Sequence, residues 1–186
     1  MNVMVLGAGN ILLSDEGVGV RVIEAFQDRY QVPDGVEVLD GGTCGMDLLD
    51  VIAGRDHLII VDAVNTGSPP GTLVRLADRQ IPTVFRTKSS PHQVGLCDVL
   101  ALLDLMEAAP RHVTVIGVQP LSLDLGIELS GPIAACLEEL VAMVTAELTA
   151  LGAAPRCMEP APARREADDD VVGERDALDL GGHLSL

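Results

Sequence analysis

The stretch VMVLGAGNILLSDEG, residues 3–17, decides how the rest of the chain is interpreted. Its apolar start predicts a buried strand, its glycines predict a tight turn, and a helix is expected to begin near its end. A glycine turn between a strand and a helix is typical of phosphate binding. Asp15 and Glu16 stand where the phosphate would lie and would repel it, so a different ligand has to be considered.

Apolar runs alternate with helical patterns along the chain, and this rhythm predicts a largely parallel sheet covered by helices on both faces. Segment 72–77 follows turn residues and predicts an added strand, for which an antiparallel edge position is one option. A last helix is expected to start around Pro132. The other strands are expected near residues 2–8, 36–40, 57–62 and 112–118.

The composition limits the class of protein. The chain has 186 residues, 48% of them hydrophobic, and a formal net charge of −16. These values suit one domain with a sizeable core, and the negative charge argues against nucleic acid or an anionic membrane as a partner. No signal peptide or membrane-spanning pattern is found, and the scattered cysteines suit reduced thiols, so a cytoplasmic location is expected.

The sequence changes character after Gly152. Residues 153–186 combine proline, alanine and charged residues without a sustained apolar stripe. Such a segment buries too little surface to offset its chain entropy. We therefore predict a single folded domain over residues 1–152, followed by a flexible acidic tail over residues 153–186.

Three side chains that could bind a cation follow predicted strands or begin a helix. Glu16 follows the first strand, Asp62 ends the apolar run of residues 57–64, and His92 lies in the segment TKSSPHQVG, residues 87–95. The loops after parallel strands gather at one edge of the sheet, so these side chains are expected to converge there. Two carboxylates and one imidazole suit a first-row divalent ion with coordination positions left open.

Each of these residues also has a purely structural interpretation. Glu16 could complement the helix dipole, Asp62 could form a turn at the strand end, and His92 could be a polar residue at a helix start. For Asp15, capping of the first helix is the preferred interpretation. The sequence alone therefore leaves the three-residue site as one of two possibilities.

Five strings in the same order resemble the nickel–iron hydrogenase maturation endopeptidases. They are GAGNILLSDEGVGVRV (7–22), DGGTCG (40–45), DAV (62–64), SPHQVGLCDVLALL (90–103) and VIGVQP (115–120). The resemblance implies a three-layer α/β/α fold with a mainly parallel, twisted sheet. It also implies an enzyme that removes a C-terminal extension from the precursor of the hydrogenase large subunit after nickel has been inserted.

The resemblance further assigns residues to the site. The metal-binding Glu, Asp and His of the family fall on Glu16, Asp62 and His92. The family's second loop, at the edge of the site, falls on Gly41, Gly42 and Thr43, which would contact the substrate. The glycines could equally serve a tight turn that needs a positive φ, and both roles are compatible. The resemblance does not extend to the predicted tail.

The mechanism is left open by the sequence, which has neither an HExxH nor a GxSxG motif. A metal could polarise the scissile carbonyl or activate a water, with Asp62 or Glu16 taking the proton. A metal-free pair of carboxylates could act as in an aspartic protease. The site could also recognise the nickel already held by thiolates of the substrate, with other divalent ions able to occupy it, and this nickel-dependent recognition is favoured.

Three other interpretations remain. A non-catalytic chaperone could bind nickel or the unfinished large subunit, which the lack of a standard catalytic motif favours. A dinucleotide-binding oxidoreductase is less favoured, because Leu12 occupies the third glycine position of the fingerprint. A thiol protease would use Cys44, but Asp40 and Asp47 nearby disfavour a thiolate there.

Overall fold

The computed structural model describes residues 1–81 and 91–158, with the backbone alone for residues 91–95. The described strands are β1 (Val3–Ala8), β2 (Tyr30–Gln31), β3 (Val36–Gly42), β4 (His57–Ala63), β5 (Leu73–Ala77), β6 (His112–Val118) and β7 (Arg156–Cys157). The described α-helices are α1 (Val18–Gln27), α2 (Leu49–Ile52), α3 (Pro91–Leu105) and α4 (Gly131–Ala150). Short 3-10 helices span Ser14–Gly17, Met46–Leu48 and Asp78–Gln80.

The central sheet has the strand order β3-β1-β4-β6-β5. The pairs β1–β3, β1–β4 and β4–β6 are parallel, whereas β5 pairs antiparallel with β6 at one edge. The predicted strands and the antiparallel edge option are therefore confirmed. Since the parallel strands all point the same way, the loops that follow them lie at one edge of the sheet, here called the carboxyl edge.

Helices cover both faces of the sheet, as the α/β/α prediction requires. Alternate residues of β1 point to opposite faces, so Val3 and Val5 join one hydrophobic cluster while Met4 and Leu6 join the other. The first cluster contains buried residues of α1 and α4, and the second contains buried residues of α2 and α3. Within the described ranges, none of the helices has the length and apolar content of a membrane span.

The described fold continues six residues past the predicted boundary at Gly152. Ala153 is buried in the first hydrophobic cluster, and β7 pairs antiparallel with β2. The backbone N–H of Met158 then donates to the carbonyl of Arg29 at 2.7 Å. The sequence did not predict the pairing of β2 with β7, because strands of two residues leave no periodic pattern. The rest of the predicted tail, residues 159–186, lies outside the described residues.

A truncation series tests where the folded part ends. We expect a chain ending at Met158 to melt at the temperature of the full chain. A chain ending at Gly152 loses β7 and the buried Ala153, and each kcal/mol lost lowers the melting temperature of a chain of this size by about 2–4 °C. Calorimetry of the three chains gives the answer. Equal melting of all three would show that β7 adds nothing, and early melting of the Met158 chain would assign a stabilising role to residues 159–186.

Candidate functional site

Glu16 and Asp62 lie at the carboxyl edge, at the ends of two neighbouring strands. Glu16 belongs to the 3-10 helix Ser14–Gly17 that follows β1, and Asp62 is the penultimate residue of β4. Both are buried, with 3% of Glu16 and none of Asp62 exposed. One carboxylate oxygen of Asp62 accepts the backbone N–H of Ala63 at 2.7 Å. Two buried carboxyl groups thus lie at the ends of adjacent strands on this edge.

Gly9 of the opening turn and Gly19 of α1 are needed for close backbone packing at the ends of β1 and β4. A Cβ added at Gly9, where φ is +131°, would lie 1.8 Å from the carbonyl oxygen of Glu16. A Cβ at Gly19 would lie 2.1 Å from the carbonyl oxygen of Val61 and 2.3 Å from that of Ala8. Helix α1 therefore begins directly against the ends of β1 and β4. The glycine turn thereby brings the backbone of Glu16 close to the strand ends.

Asp15 does not cap the first helix, contrary to the prediction. The cap positions are Leu13 for the 3-10 helix and Gly17 for α1. The fully buried carboxylate of Asp15 instead accepts four hydrogen bonds from residues distant in sequence. The donors are the N–H groups of Leu121 (2.9 Å), Ser122 (2.9 Å) and Ser130 (2.7 Å), and the hydroxyl of Ser130 (2.9 Å).

Asp15 thereby fixes the long connection between β6 and α4 against the turn that carries Glu16. Further bonds reinforce this attachment: the N–H of Ser14 donates to the carbonyl of Gly126 at 2.7 Å, and the N–H of Gly126 donates to that of Leu12 at 3.0 Å. The connection is therefore held in place although it contains no regular helix or long strand. Sequence reasoning missed this role because the partners of Asp15 are more than one hundred residues away.

His92, the third predicted ligand, lies in the first turn of α3, and its side chain is outside the described residues. The end of α3 lies near the amino ends of the strands, since Gly54, just before β4, donates its N–H to the carbonyl of Ala108 at 2.8 Å. A helix of 15 residues spans about 22 Å, so its first turn lies toward the carboxyl edge. This placement agrees with the prediction but does not test the ligand role.

A metal site cannot be assembled from the described side chains alone. Among them, no group of three or more His, Cys, Asp or Glu residues is arranged to hold an ion. The predicted set of Glu16, Asp62 and His92 includes the side chain of His92, which is not among the described side chains. This three-residue metal site therefore stays a prediction. Its chemistry suits a first-row divalent ion, because carboxylate oxygen and imidazole nitrogen are both accepted ligands of such ions.

A surface cavity of about 270 Å³ lies beside this edge. Of the predicted substrate-binding residues, Gly42 and Thr43 line it, together with residues 9–12 of the opening turn. Gly41 is buried and does not line the cavity, and an added Cβ there would come within 2.6 Å of Leu6 Cδ1. Gly42 has a φ of +47°, which favours glycine, and it also lines the cavity. The structural role in the turn and a place beside the cavity are therefore compatible. Contact with the substrate stays a prediction.

Cys44 and Asp40 are exposed near the same cavity. Cys44 precedes the 3-10 helix Met46–Leu48, whose cap position is Gly45, so the thiol is not at the start of a long helix. The carboxylate of Asp40 accepts the N–H of Gly42 at 2.8 Å, which stabilises the turn. Neither residue shares the burial of Glu16 and Asp62.

Carboxyl groups with lowered pKa values lie at the opposite edge of the sheet. The backbone N–H of Asn2 holds the pKa of Asp56 below its ordinary value. The backbone N–H of Val113, with a smaller effect of His112, does the same for Asp78. Both groups flank the amino ends of strands, so their shifted pKa values reflect structural hydrogen bonds and not chemistry at the carboxyl edge.

Comparison with known proteins gives one consistent family. A family model described as HycI, hydrogenase maturation protease, matches residues 20–147. The chain is 48% identical over 153 residues to the hydrogenase 2 maturation protease of Escherichia coli (strain K12), covering 82% of this chain and 93% of the relative. It is 44% identical over 159 residues to hydrogenase expression/formation protein HupM of Azotobacter chroococcum mcd 1, covering 83% and 76%.

Solved structures agree with the sequence relatives. The hydrogenase maturating endopeptidase HybD from E. coli superposes with a TM-score of 0.81 at 46% identity, covering 84% of this chain and 98% of that one. The [NiFe] hydrogenase maturation protease HybD from Thermococcus kodakarensis gives a TM-score of 0.63 at 28% identity, covering 77% and 97%. The α/β/α fold is therefore shared across these proteins.

Proposed function

The chain belongs to the hydrogenase maturation protease family, and on this premise we propose that it removes the C-terminal extension of a nickel-loaded hydrogenase large-subunit precursor. It is an endopeptidase, and hence a hydrolase. The observation that carries the proposal is the pair of buried carboxylates, Glu16 and Asp62, at neighbouring strand ends beside a surface cavity.

In this proposal Glu16, Asp62 and His92 recognise nickel that the precursor carries. Thiolates of the precursor hold the nickel, and two carboxylates and one imidazole complete its coordination without the second histidine of common zinc sites. Recognition of the loaded metal then makes cleavage depend on nickel insertion. The chain needs no nickel of its own for this role.

The same carboxylates provide the proton chemistry of hydrolysis. With the peptide lying across the carboxyl edge, a water attacking the scissile carbonyl gives a proton to Glu16 or Asp62, at the carboxylate oxygen that does not bind nickel. That proton then passes to the leaving amine as the C–N bond breaks. Gly42 and Thr43, which line the cavity, support the adjoining part of the peptide. The thiol of Cys44 takes no part in this scheme.

We also propose that the reaction takes place in the cytoplasm. Cys44, Cys136 and Cys157 carry thiols that are not joined in disulfides, which is typical of a reducing compartment. The proposal would be supported by finding the mature large subunit in cells whose export machinery is blocked.

Loss of one nickel ligand should be visible in direct binding. We expect His92→Ala to weaken nickel binding at least about tenfold, the equivalent of 1.4 kcal/mol, because one of three protein ligands is removed. Glu16→Ala and Asp62→Ala should have similar effects. The measurement is titration calorimetry of the purified chain with nickel.

His112→Ala provides a matched control, because His112 is an exposed histidine at the amino end of β6, at the opposite edge of the sheet. It should bind nickel as the unchanged chain does. Unaltered titrations in all three ligand variants would remove Glu16, Asp62 and His92 as the nickel-binding set.

A further inference from the structure

The connection between β6 and α4 shows an inverted apolar pattern. In residues 121–127, LSLDLGI, the odd positions are aliphatic and the even positions are polar or glycine. In an ordinary surface strand the aliphatic side faces the core. Here the aliphatic side chains face solvent, with exposed fractions of 53% for Leu121, 36% for Leu123, 86% for Leu125 and 67% for Ile127. We call these four residues the apolar ridge.

The backbone at the even positions bonds to the turn that carries Glu16 and holds the ridge in place. Ser122 donates its N–H to Asp15 and accepts the N–H of Asp15 in return, at 2.9 and 3.2 Å. The carbonyl of Asp124 accepts the hydroxyl of Ser14 at 3.0 Å, and Gly126 forms a bridge with Leu13. The fold thus uses a fully buried carboxylate to present aliphatic side chains to solvent in a fixed arrangement.

We propose that the apolar ridge is the docking surface for the large-subunit precursor, and this inference rests on the proposed function. The ridge lies beside the cavity of the proposed site, because Gly126 donates its N–H to the carbonyl of Leu12, which lines that cavity. A protease with a folded protein as substrate draws binding energy from contacts away from the cleaved bond. Aliphatic side chains on a backbone that is already held in place provide such contacts with less ordering on binding than a mobile loop would need.

The size of the ridge favours this occupant over a second copy of the chain. Four aliphatic side chains cover at most roughly a few hundred Å², whereas a stable complex buries about 800 Å² per partner. The ridge is therefore too small to hold a dimer by itself. It fits one part of a larger enzyme–substrate contact that continues over the carboxyl edge.

A paired substitution tests the ridge. The variant Leu125→Ser/Ile127→Ser alters its two most exposed side chains, and Leu105→Ser/Met106→Ser is the matched control at the far end of α3, with 81% and 55% exposed. We expect the ridge variant to raise the KM for the nickel-loaded precursor about tenfold or more, with kcat and nickel affinity unchanged. The control variant should match the unchanged chain in all three quantities.

Binding of the precursor to each immobilised variant, measured by interferometry, needs no cleavage and therefore reports on the ridge even if nickel-dependent processing fails. Weaker binding by the ridge variant alone supports the proposal. Equal binding and KM in both variants would overturn it. A ridge variant that loses self-association in sedimentation while keeping precursor affinity would also overturn it, since the occupant would then be a second copy of the chain.

Discussion

Asp62→Ala and Glu16→Ala are expected to lose nearly all processing of a nickel-loaded large subunit, by at least about a hundredfold, whereas Cys44→Ala keeps most of it. Both carboxyl groups are buried at the carboxyl edge, and in the proposed function they contact the nickel and the attacking water. Cys44 is exposed and does not belong to the buried pair. The measurement is the size shift of the large subunit on a denaturing gel.

Circular dichroism has to accompany this comparison, because a buried residue is changed in two of the variants. Asp62→Asn keeps the shape of the side chain and removes its charge, so it separates loss of chemistry from loss of fold. If Cys44→Ala alone abolished the shift while remaining folded and binding nickel, the carboxylate mechanism would have to be replaced by a thiol mechanism.

Asp15→Ala is expected to lower the free energy of unfolding by about 3–5 kcal/mol. The change leaves three backbone N–H groups and the hydroxyl of Ser130 without their acceptor in a buried location. Each unsatisfied buried donor costs about 1–3 kcal/mol, although local movement recovers part of that loss. Urea unfolding, followed by circular dichroism, measures the difference.

Asp124→Ala is the matched control for this prediction. Asp124 lies in the same connection and is exposed, and its carboxylate accepts one hydrogen bond from the hydroxyl of Ser122. Its replacement should change the unfolding free energy by no more than about 0.5 kcal/mol. A similarly small effect of Asp15→Ala would mean that the connection is held by its other bonds and that the buried carboxylate is dispensable.

The fold could be predicted because its strong signals are local. The apolar runs that became β1 and β4 are each continuous in sequence, and the burial of both faces of a parallel strand requires such runs. The edge strand β5 was predicted from the turn residues before it. Glu16 and Asp62 could be placed together because the end of a parallel strand fixes the edge at which its last residues lie.

The remaining features depend on contacts that the sequence does not encode locally. The sequence favoured Asp15 as a helix cap because it lies just before the first predicted helix. Its carboxylate instead accepts hydrogen bonds from the connection before α4. The pair of β2 and β7 joins two-residue strands from distant parts of the chain, so the boundary at Gly152 was drawn too early. The alternation over residues 121–127 was visible, but only the structure shows that its aliphatic side faces solvent.

Mass spectrometry of the large-subunit precursor shows whether the chain cleaves it and whether cleavage depends on nickel. Nickel-loaded and nickel-free precursors are incubated separately with the chain, and the mass of each large subunit is followed over time. We expect a shortened large subunit and a released C-terminal peptide from the nickel-loaded precursor alone. Equal shortening of both precursors would contradict nickel recognition, and an intact complex with no released peptide would contradict cleavage by this chain.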